Sequence, residues 1–145
     1  MLKYNAKAPK STSFSVGQER QDVTYIETQT VKDGVECDIY EFASDKPQDL
    51  AIVRVTKGFK TPLQQVVGGI KTVEAFIEGT RILTVRSNAG KTKKYNFGLN
   101  SSNESVEVGV GEVMQWTADK DSDLVFSEIC TPPYQDGRVK DLPEQ

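Results

Sequence analysis

Short runs of β-branched and aromatic residues recur along the chain, and Gly, Asn, Asp or Pro separates them. They include "DVTYIETQTV", "VECDIYEFA", "DLAIVRVTKG", "TVEAFIEGTRILTVRS", "SVEVGVGEVMQWTA" and "DLVFSEICT". Runs of this length, bounded by turn residues, predict β-strands. No stretch carries a convincing helical stripe longer than about two turns. The pattern therefore predicts an all-β sandwich or barrel.

The connections between the runs are short and polar. Asp33 and Gly34 supply a turn between two predicted strands, and residues 78–80 join their flanking runs as a tight hairpin. Consecutive hairpins of this kind are typical of an antiparallel barrel or jelly roll. The C-terminal "TPPYQDGRVKDLPEQ" cannot continue a central strand, because paired prolines lack the N–H groups of a ladder. We predict that it runs as an extended tail.

With 145 residues the chain is about one domain, long enough to bury roughly two-thirds of its unfolded surface. Residues 1–20 are rich in Lys, Ser and Pro with little periodicity, and we predict a flexible N-terminal arm there. The barrel domain is predicted over residues 21–134, and residues 135–145 form the predicted C-terminal tail.

Composition and charge exclude several classes of function. The net charge is −3, from 18 basic and 21 acidic residues, and nothing in it attracts nucleic acid. No apolar run approaches the roughly 18 residues of a membrane span. The first residues lack the apolar segment of a secretion signal, so the expected location is the cytoplasm. Cys37 and Cys130 lie in apolar runs and are predicted to be buried reduced thiols, with a disulfide or a nucleophilic cysteine as the alternatives.

The chain contains no histidine. Catalysis by Ser-His-Asp or Cys-His groups is therefore excluded, as are imidazole-ligated zinc and iron. A metal site would have to consist of carboxylates and amides, which suit calcium or magnesium better than transition metals.

Two segments resemble the conserved motifs of the cupin superfamily. "GFKTPLQQVVGGIKTVEAFIEG" has the glycine, proline turn, strand and hairpin of the first motif, and "VEVGVGEVMQWTADKDSDLVFSEICTPPY" is similar to the second. The resemblance covers roughly residues 49–134. It implies a cupin-like double-stranded β-barrel, or jelly roll. It also implies a homodimer formed by exchanged N-terminal strands or sheet edges, with "DVTYIETQTV" as the candidate interface.

The resemblance also locates the positions at which cupins hold a metal. Cupins place two histidines and a glutamate in the first motif, at positions that correspond to about Gln65, Val67 and Thr72. The third histidine, in the second motif, corresponds to about Met114. A shift of one or two residues brings in Gln64, Lys71 or Glu74 instead. None of these sets is an ordinary zinc or iron site, so we expect no metal and no cofactor.

Which face of the strand at residues 72–77 lines the barrel is left open by the sequence. Side chains alternate along a strand, so Thr72 and Glu74 share one face while Val73 and Ala75 share the other. On hydrophobicity alone the second face is the buried one. The cupin register instead turns Glu74 inward, where an apolar wall would raise its pKa and suit it to acid–base work.

The candidate ligand-binding residues are Gln65, Thr72, Glu74, Met114 and Trp116. Gln65 suits recognition of hydroxyl groups, or it is a surface residue. Trp116 stacks on a ring at the barrel mouth, or it is core. Glu74 and Tyr95 are the candidate catalytic residues.

Three functions remain open. The preferred one is the binding of a small polar metabolite, such as a carbohydrate, inside the barrel. A metal-independent isomerase, epimerase or lyase acting on a sugar-like or keto substrate is the second, and it needs at least two acid–base groups facing one cavity. The third is a structural or assembly domain whose barrel is filled by side chains. The barrel interior distinguishes among them.

Overall fold

The computed structural model describes residues 11–16, 19–43, 48–79, 81–97, 105–132 and 139–144. Its strands are β1 (Ser11–Val16), β2 (Glu19–Lys32), β3 (Val35–Phe42), β4 (Asp49–Val55), β5 (Leu63–Val66), β6 (Lys71–Glu78), β7 (Arg81–Arg86), β8 (Thr92–Phe97), β9 (Ser105–Gly109), β10 (Val113–Ala118), β11 (Leu124–Thr131) and β12 (Val139–Leu142). Within these ranges no helix has the length and apolar character needed to cross a membrane.

The strands form two sheets that face each other. The larger sheet has the order β1-β2-β3-β4-β11-β6-β9, and the smaller has the order β12-β5-β10-β7-β8. From β4 onward the chain crosses repeatedly from one sheet to the other, so strands distant in sequence become neighbours. The predicted all-β jelly roll is confirmed.

Strands of the larger sheet are apolar on both faces, which explains their nearly continuous hydrophobic runs. Val35, Val53 and Phe126 point into the barrel and join the main core. Tyr40 and Leu50, on the opposite face, join a smaller cluster outside the barrel. Because both faces are buried, hydrophobicity alone could not identify the inner face of these strands.

A buried ion pair lies beside this outer cluster. Arg54 and Asp38 are 1% and 3% exposed, and Arg54 Nη1 donates to Asp38 Oδ2. Thr28 Oγ1 donates to Asp38 Oδ1 at 2.7 Å, and Tyr25 OH lies 2.6 Å from Thr28 Oγ1. The network joins β2, β3 and β4 on the outer face of the larger sheet.

Two glycines occupy turns that require their conformational freedom. Gly34 has a φ of 79°, and with Asp33 it forms the predicted turn between β2 and β3. Gly79 has a φ of 102° at the end of β6, and a Cβ there would collide with the carbonyl oxygen of Asp123. Gly79 therefore packs directly against the loop before β11.

Both ends of the chain contribute strands where they are described. Residues 11–16 of the predicted arm form β1, which pairs with residues 19–24 of β2. In the predicted tail, β12 pairs with β5 at the edge of the smaller sheet. Residues 1–10 of the predicted arm lie outside the described residues, and the division into arm, barrel and tail stays a prediction.

Candidate functional site

The face of β6 that carries Thr72 and Glu74 is the one that points into the barrel. Both residues are 0% exposed, whereas Ile77 on the alternate face is 42% exposed. Val73 on that alternate face packs against the outer cluster. The inward orientation implied by the cupin register is the one the structure adopts, although it buries a carboxyl group.

Glu74 is held by the single tryptophan of the chain. Trp116 Nε1 donates a hydrogen bond to Glu74 Oε1 at 2.9 Å. The indole also stacks on Phe126, with ring centroids 4.4 Å apart and an interplanar angle of 12°. Among the described residues no hydrogen-bond partner was found for the other carboxyl oxygen, Oε2.

Glu128 is the direct cross-strand neighbour of Glu74. The two residues are paired in the β6–β11 register, so their side chains leave the sheet on the same, inner face. Cys130 Sγ lies 3.6 Å from Glu128 Oε1, to which its thiol donates. Glu128 was not among the residues predicted from the sequence. The available signal was a lone acid within "LVFSEICT", alternating with Phe126 and Cys130 in a mostly buried strand.

The surroundings of Glu74 change its pKa. Complete burial raises the pKa of Glu74 well above its usual range, and the neighbouring charge of Glu128 raises it further. The hydrogen bond from Trp116 only partly opposes this shift in the pKa of Glu74. Burial and the charge of Glu128 thus both favour the protonated form of Glu74. Because Oε1 accepts from Trp116, Oε2 is the oxygen left to carry the proton.

A cavity of about 450 Å³ opens beside this pair. Its wall is formed by β2, β3, β4 and β11 of the larger sheet, facing β5, β12 and the loop before β5. Polar lining groups come from Gln29, Asp49, Thr61, Gln64, Glu128 and Asp141. Phe126 also lines the cavity, while its ring stacks on Trp116 behind it. The barrel is thus packed on one side of Phe126 and open on the other.

Both cysteines line the cavity, and both are buried free thiols. Burial raises the pKa of Cys37, and the charge of Glu128 raises it further. The thiolate, which is the nucleophilic form, is therefore disfavoured at Cys37. Strand β4 lies between the two cysteines, because Cys37 on β3 is paired with Val53 on β4, and Val53 is paired with Phe126 on β11. Cys130 lies four residues beyond Phe126 along β11. This separation does not suit a disulfide.

Four of the five candidate ligand-binding residues lie inside the barrel, but in its packed part. Thr72, Glu74, Met114 and Trp116 are all buried, and none of them lines the cavity. Met114 and Trp116 belong to the main hydrophobic core. Glu74 is separated from the cavity by one residue, Glu128, so it can act on a ligand only through that neighbour.

On β5 the structure turns Gln64, not Gln65, toward the barrel interior. Gln64 lies opposite Met114 and Asp141, which face the interior, and it lines the cavity. Gln65 therefore points to the other face, where its Nε2 donates to the carbonyl oxygen of Gly111 at 3.1 Å. The cause is alternation along the strand, because a shift of one residue exchanges the two faces.

Tyr95 lies away from the cavity. It is partly buried against the core on β8, the edge strand of the smaller sheet. Lys93 Nζ lies 4.8 Å from the centre of its ring. The structure therefore does not bring Tyr95 together with Glu74 and Glu128.

The inward residues do not fit the metal ligands found in ordinary cupins. At the motif positions the barrel interior holds Gln64, Val66, Thr72 and Met114, and Val66 and Met114 pack in the hydrophobic core. Within the part of the chain that the structure describes, no three His, Cys, Asp or Glu side chains are grouped for a metal ion. The motif positions therefore offer no matching set of metal ligands, and the expected absence of a metal and cofactor stays a prediction.

No sequence-family profile and no curated protein sequence matches the chain. Among solved structures, Bacillus subtilis oxalate decarboxylase is similar at 20% identity with a TM-score of 0.63, over 77% of this chain and 29% of that protein. The capsular polysaccharide assembling protein CapF from Staphylococcus aureus is similar at 11% identity with a TM-score of 0.66, over 84% of this chain and 34% of that one. A Shewanella oneidensis protein is similar at 10% identity with a TM-score of 0.58, over 69% of this chain and 65% of that one.

These similarities define the fold. The neighbours are cupin-fold proteins, and the chain has the cupin fold, as the two sequence motifs predicted. The chain spans about a third of the length of oxalate decarboxylase and CapF. At these identities the likeness shows the fold alone, so the function has to be argued from the cavity.

Proposed function

We propose that this cupin-fold domain binds a small polar metabolite, such as a carbohydrate, in the cavity of its barrel. The observation that supports this most directly is the cavity of about 450 Å³ between the sheets, which lies within the usual size range of ligand pockets. A structural domain with a filled barrel would have closed this space with side chains. Among the described residues, core side chains fill the part of the barrel behind Phe126.

The lining supports a ligand rich in hydroxyl groups. Carboxylates accept hydrogen bonds, and an amide both accepts and donates them, so Asp49, Glu128, Asp141 and Gln64 match the donors and acceptors of a polyol. Val53 and Phe126 add apolar surface of the kind that contacts the C–H face of a sugar. Among the described lining residues none is Lys or Arg, which disfavours a dianion such as oxalate.

The test is a binding titration with a panel of neutral mono- and disaccharides, each paired with the acid that corresponds to it, such as glucose with gluconate. We expect neutral sugars to bind and the acids to bind at least about tenfold more weakly. Gln64→Ala removes one hydrogen-bonding group, worth about 1 kcal/mol, and should weaken binding about fivefold. Glu107→Gln is the matched control, because Glu107 is 66% exposed and bonds Lys71 outside the cavity.

Two outcomes would contradict the proposal. The first is the absence of binding by every member of the panel at millimolar concentration. The second is binding that Gln64→Ala and Glu107→Gln weaken equally, because such a ligand would not occupy the cavity. Protein NMR shifts at Cys37 and Phe126, which line the cavity, would locate the ligand independently.

We also propose that the chain forms a homodimer along β2. β1 pairs with residues 19–24, so among the described strands residues 25–32 pair with β3 only. Ile26 in this part is 50% exposed, and a second copy would cover it. Light scattering should give twice the chain mass, and Ile26→Lys should lower it. A monomeric mass for the unmodified chain at micromolar concentration would contradict this proposal.

A further inference from the structure

We propose that Glu128 is the acid–base residue of a metal-free proton-transfer site in the cavity, and that Glu74 is a positioning residue that shares one proton with it. The substrate class is a small hydroxy-aldehyde or hydroxy-ketone, from which Glu128 removes a proton at the carbon next to the carbonyl. This inference rests on the proposed function, because it places chemistry on a sugar-like ligand in the same cavity.

The geometry gives the two carboxyl groups different tasks. They are directly opposed on β6 and β11, but only Glu128 lines the cavity. Glu74 is fully buried, and Trp116 fixes one of its oxygens. Ionising both of two directly opposed carboxyl groups is unfavourable, and burial favours the protonated form of Glu74. The carboxyl group that faces a ligand is that of Glu128.

The other titratable groups around Glu128 do not replace it in this task. Cys130 donates its thiol hydrogen to Glu128, and burial keeps Cys37 in the thiol form. Asp49 lies opposite Cys130 on β4, nearer the end of the strand. Asp141 lies across the cavity on β12 and accepts from Gln64 Nε2 at 3.3 Å. Arg54 and Asp38 are on the other face of the larger sheet.

The proton-transfer step needs no oxidant, reductant or second substrate. Glu128 accepts the proton, the C–H electron pair forms a double bond to the carbonyl carbon, and the carbonyl π pair moves onto oxygen. Gln64, on the opposing sheet, is the amide donor available to that oxygen once the ligand replaces its long bond to Asp141. Return of the proton from Glu128 to the same face of that carbon restores the carbonyl compound.

The experiment measures hydrogen exchange at carbon in D₂O by proton NMR, with the full chain and a panel of hydroxy-aldehydes and hydroxy-ketones, including three- to six-carbon sugars. We expect loss of the signal of the hydrogen next to the carbonyl, at a rate above that of the protein-free solution. Glu128→Gln should still bind the same compound while its exchange rate falls about 100-fold or more. Glu107→Gln, the exposed control, should leave the rate unchanged.

The pH dependence separates positioning by Glu74 from a merely structural role. The unmodified pair should lose activity on the alkaline side, where its last shared proton leaves. Glu74→Gln has no proton to lose at this position, so its rate should show no such alkaline decline. Glu74→Asp, which retains a carboxyl group, should restore the decline.

The possible failures are distinguishable. If no compound binds, the proposed function and this inference both fail. If compounds bind but none exchanges faster than without protein, or if Glu128→Gln exchanges as fast as the unmodified chain, the proposed function survives and the proton-transfer site is wrong. If the profile of Glu74→Gln equals that of the unmodified chain, the shared proton is wrong.

Discussion

Replacing Glu74 by Gln should change how the stability of the fold depends on pH. The side chain is fully buried, and its Oε1 accepts from Trp116 Nε1 at 2.9 Å. Gln keeps that acceptor and offers an N–H group toward Glu128 in place of the O–H of a protonated Glu74. The substitution therefore copies the protonated state and removes only the ability to ionise.

The magnitude follows from proton linkage. The pKa of Glu74 is raised in the folded state, chiefly by burial and then by Glu128, so the folded chain binds one more proton than the unfolded chain above the ordinary glutamate pKa of about 4.3. Over that window the free energy of unfolding falls by up to about 1.4 kcal/mol per pH unit as the pH rises. The decline ends where the folded pair loses its proton. Below the unfolded pKa the effect is absent.

The assay is urea unfolding followed by the fluorescence of Trp116, the single tryptophan, at several pH values from 4 to 9. Acids other than the coupled Glu128 contribute equally to both proteins, so the quantity to plot is the free energy of unfolding of Glu74→Gln minus that of the unmodified chain. We expect this difference to rise with pH from about pH 4–5. A difference that is flat across the whole range would refute the buried shared proton. If the free energies of unfolding of the two proteins fall with urea concentration at the same slope, both proteins expose the same amount of surface on unfolding and their free energies can be compared.

Two further predictions concern other buried groups. Arg54→Met should destabilise the fold by about 3–5 kcal/mol, because it leaves the Asp38 carboxylate buried without its charge partner. The double variant Arg54→Met, Asp38→Leu should recover most of that loss in the same urea assay. Equal stability of the single and double variants would contradict this account. Cys37 should react with iodoacetamide at pH 8 more than about tenfold more slowly in the folded chain than in urea, since burial raises its thiol pKa and limits access. Mass spectrometry of the labelled peptide measures both rates, and equal rates would show that the cavity exposes a reactive thiolate.

The fold was predictable because its signals are local. Runs such as "VECDIYEF" and "LVFSEICT" are strands in the structure, and the Asp33–Gly34 turn forms as predicted. The glycine and proline framework around residues 58–79 was enough to indicate the cupin fold. Each of these features depends on neighbouring residues in the chain, so no knowledge of distant contacts was needed.

The candidate site was only partly predictable, because side-chain direction depends on pairing with distant strands. Glu74 was a candidate on one of two faces, and only its position between β9 and β11 determined which face is buried. The sequence position of the inward glutamine was likewise uncertain by one residue, and Gln65 was the candidate where the structure turns Gln64 inward. The register of β5 with β10 and β12 decides which of the two glutamines enters the cavity.

The sequence by itself determined the all-β class, the cupin motifs and the lack of histidine ligands. Only the tertiary structure decided that Glu74 and Glu128, far apart in the chain, face each other on the inner side of one sheet. It also decided that Phe126 divides a packed part of the barrel from an open one. The physical reason is that composition and local periodicity fix the kind of element, whereas the meeting of two carboxyl groups depends on long-range strand pairing.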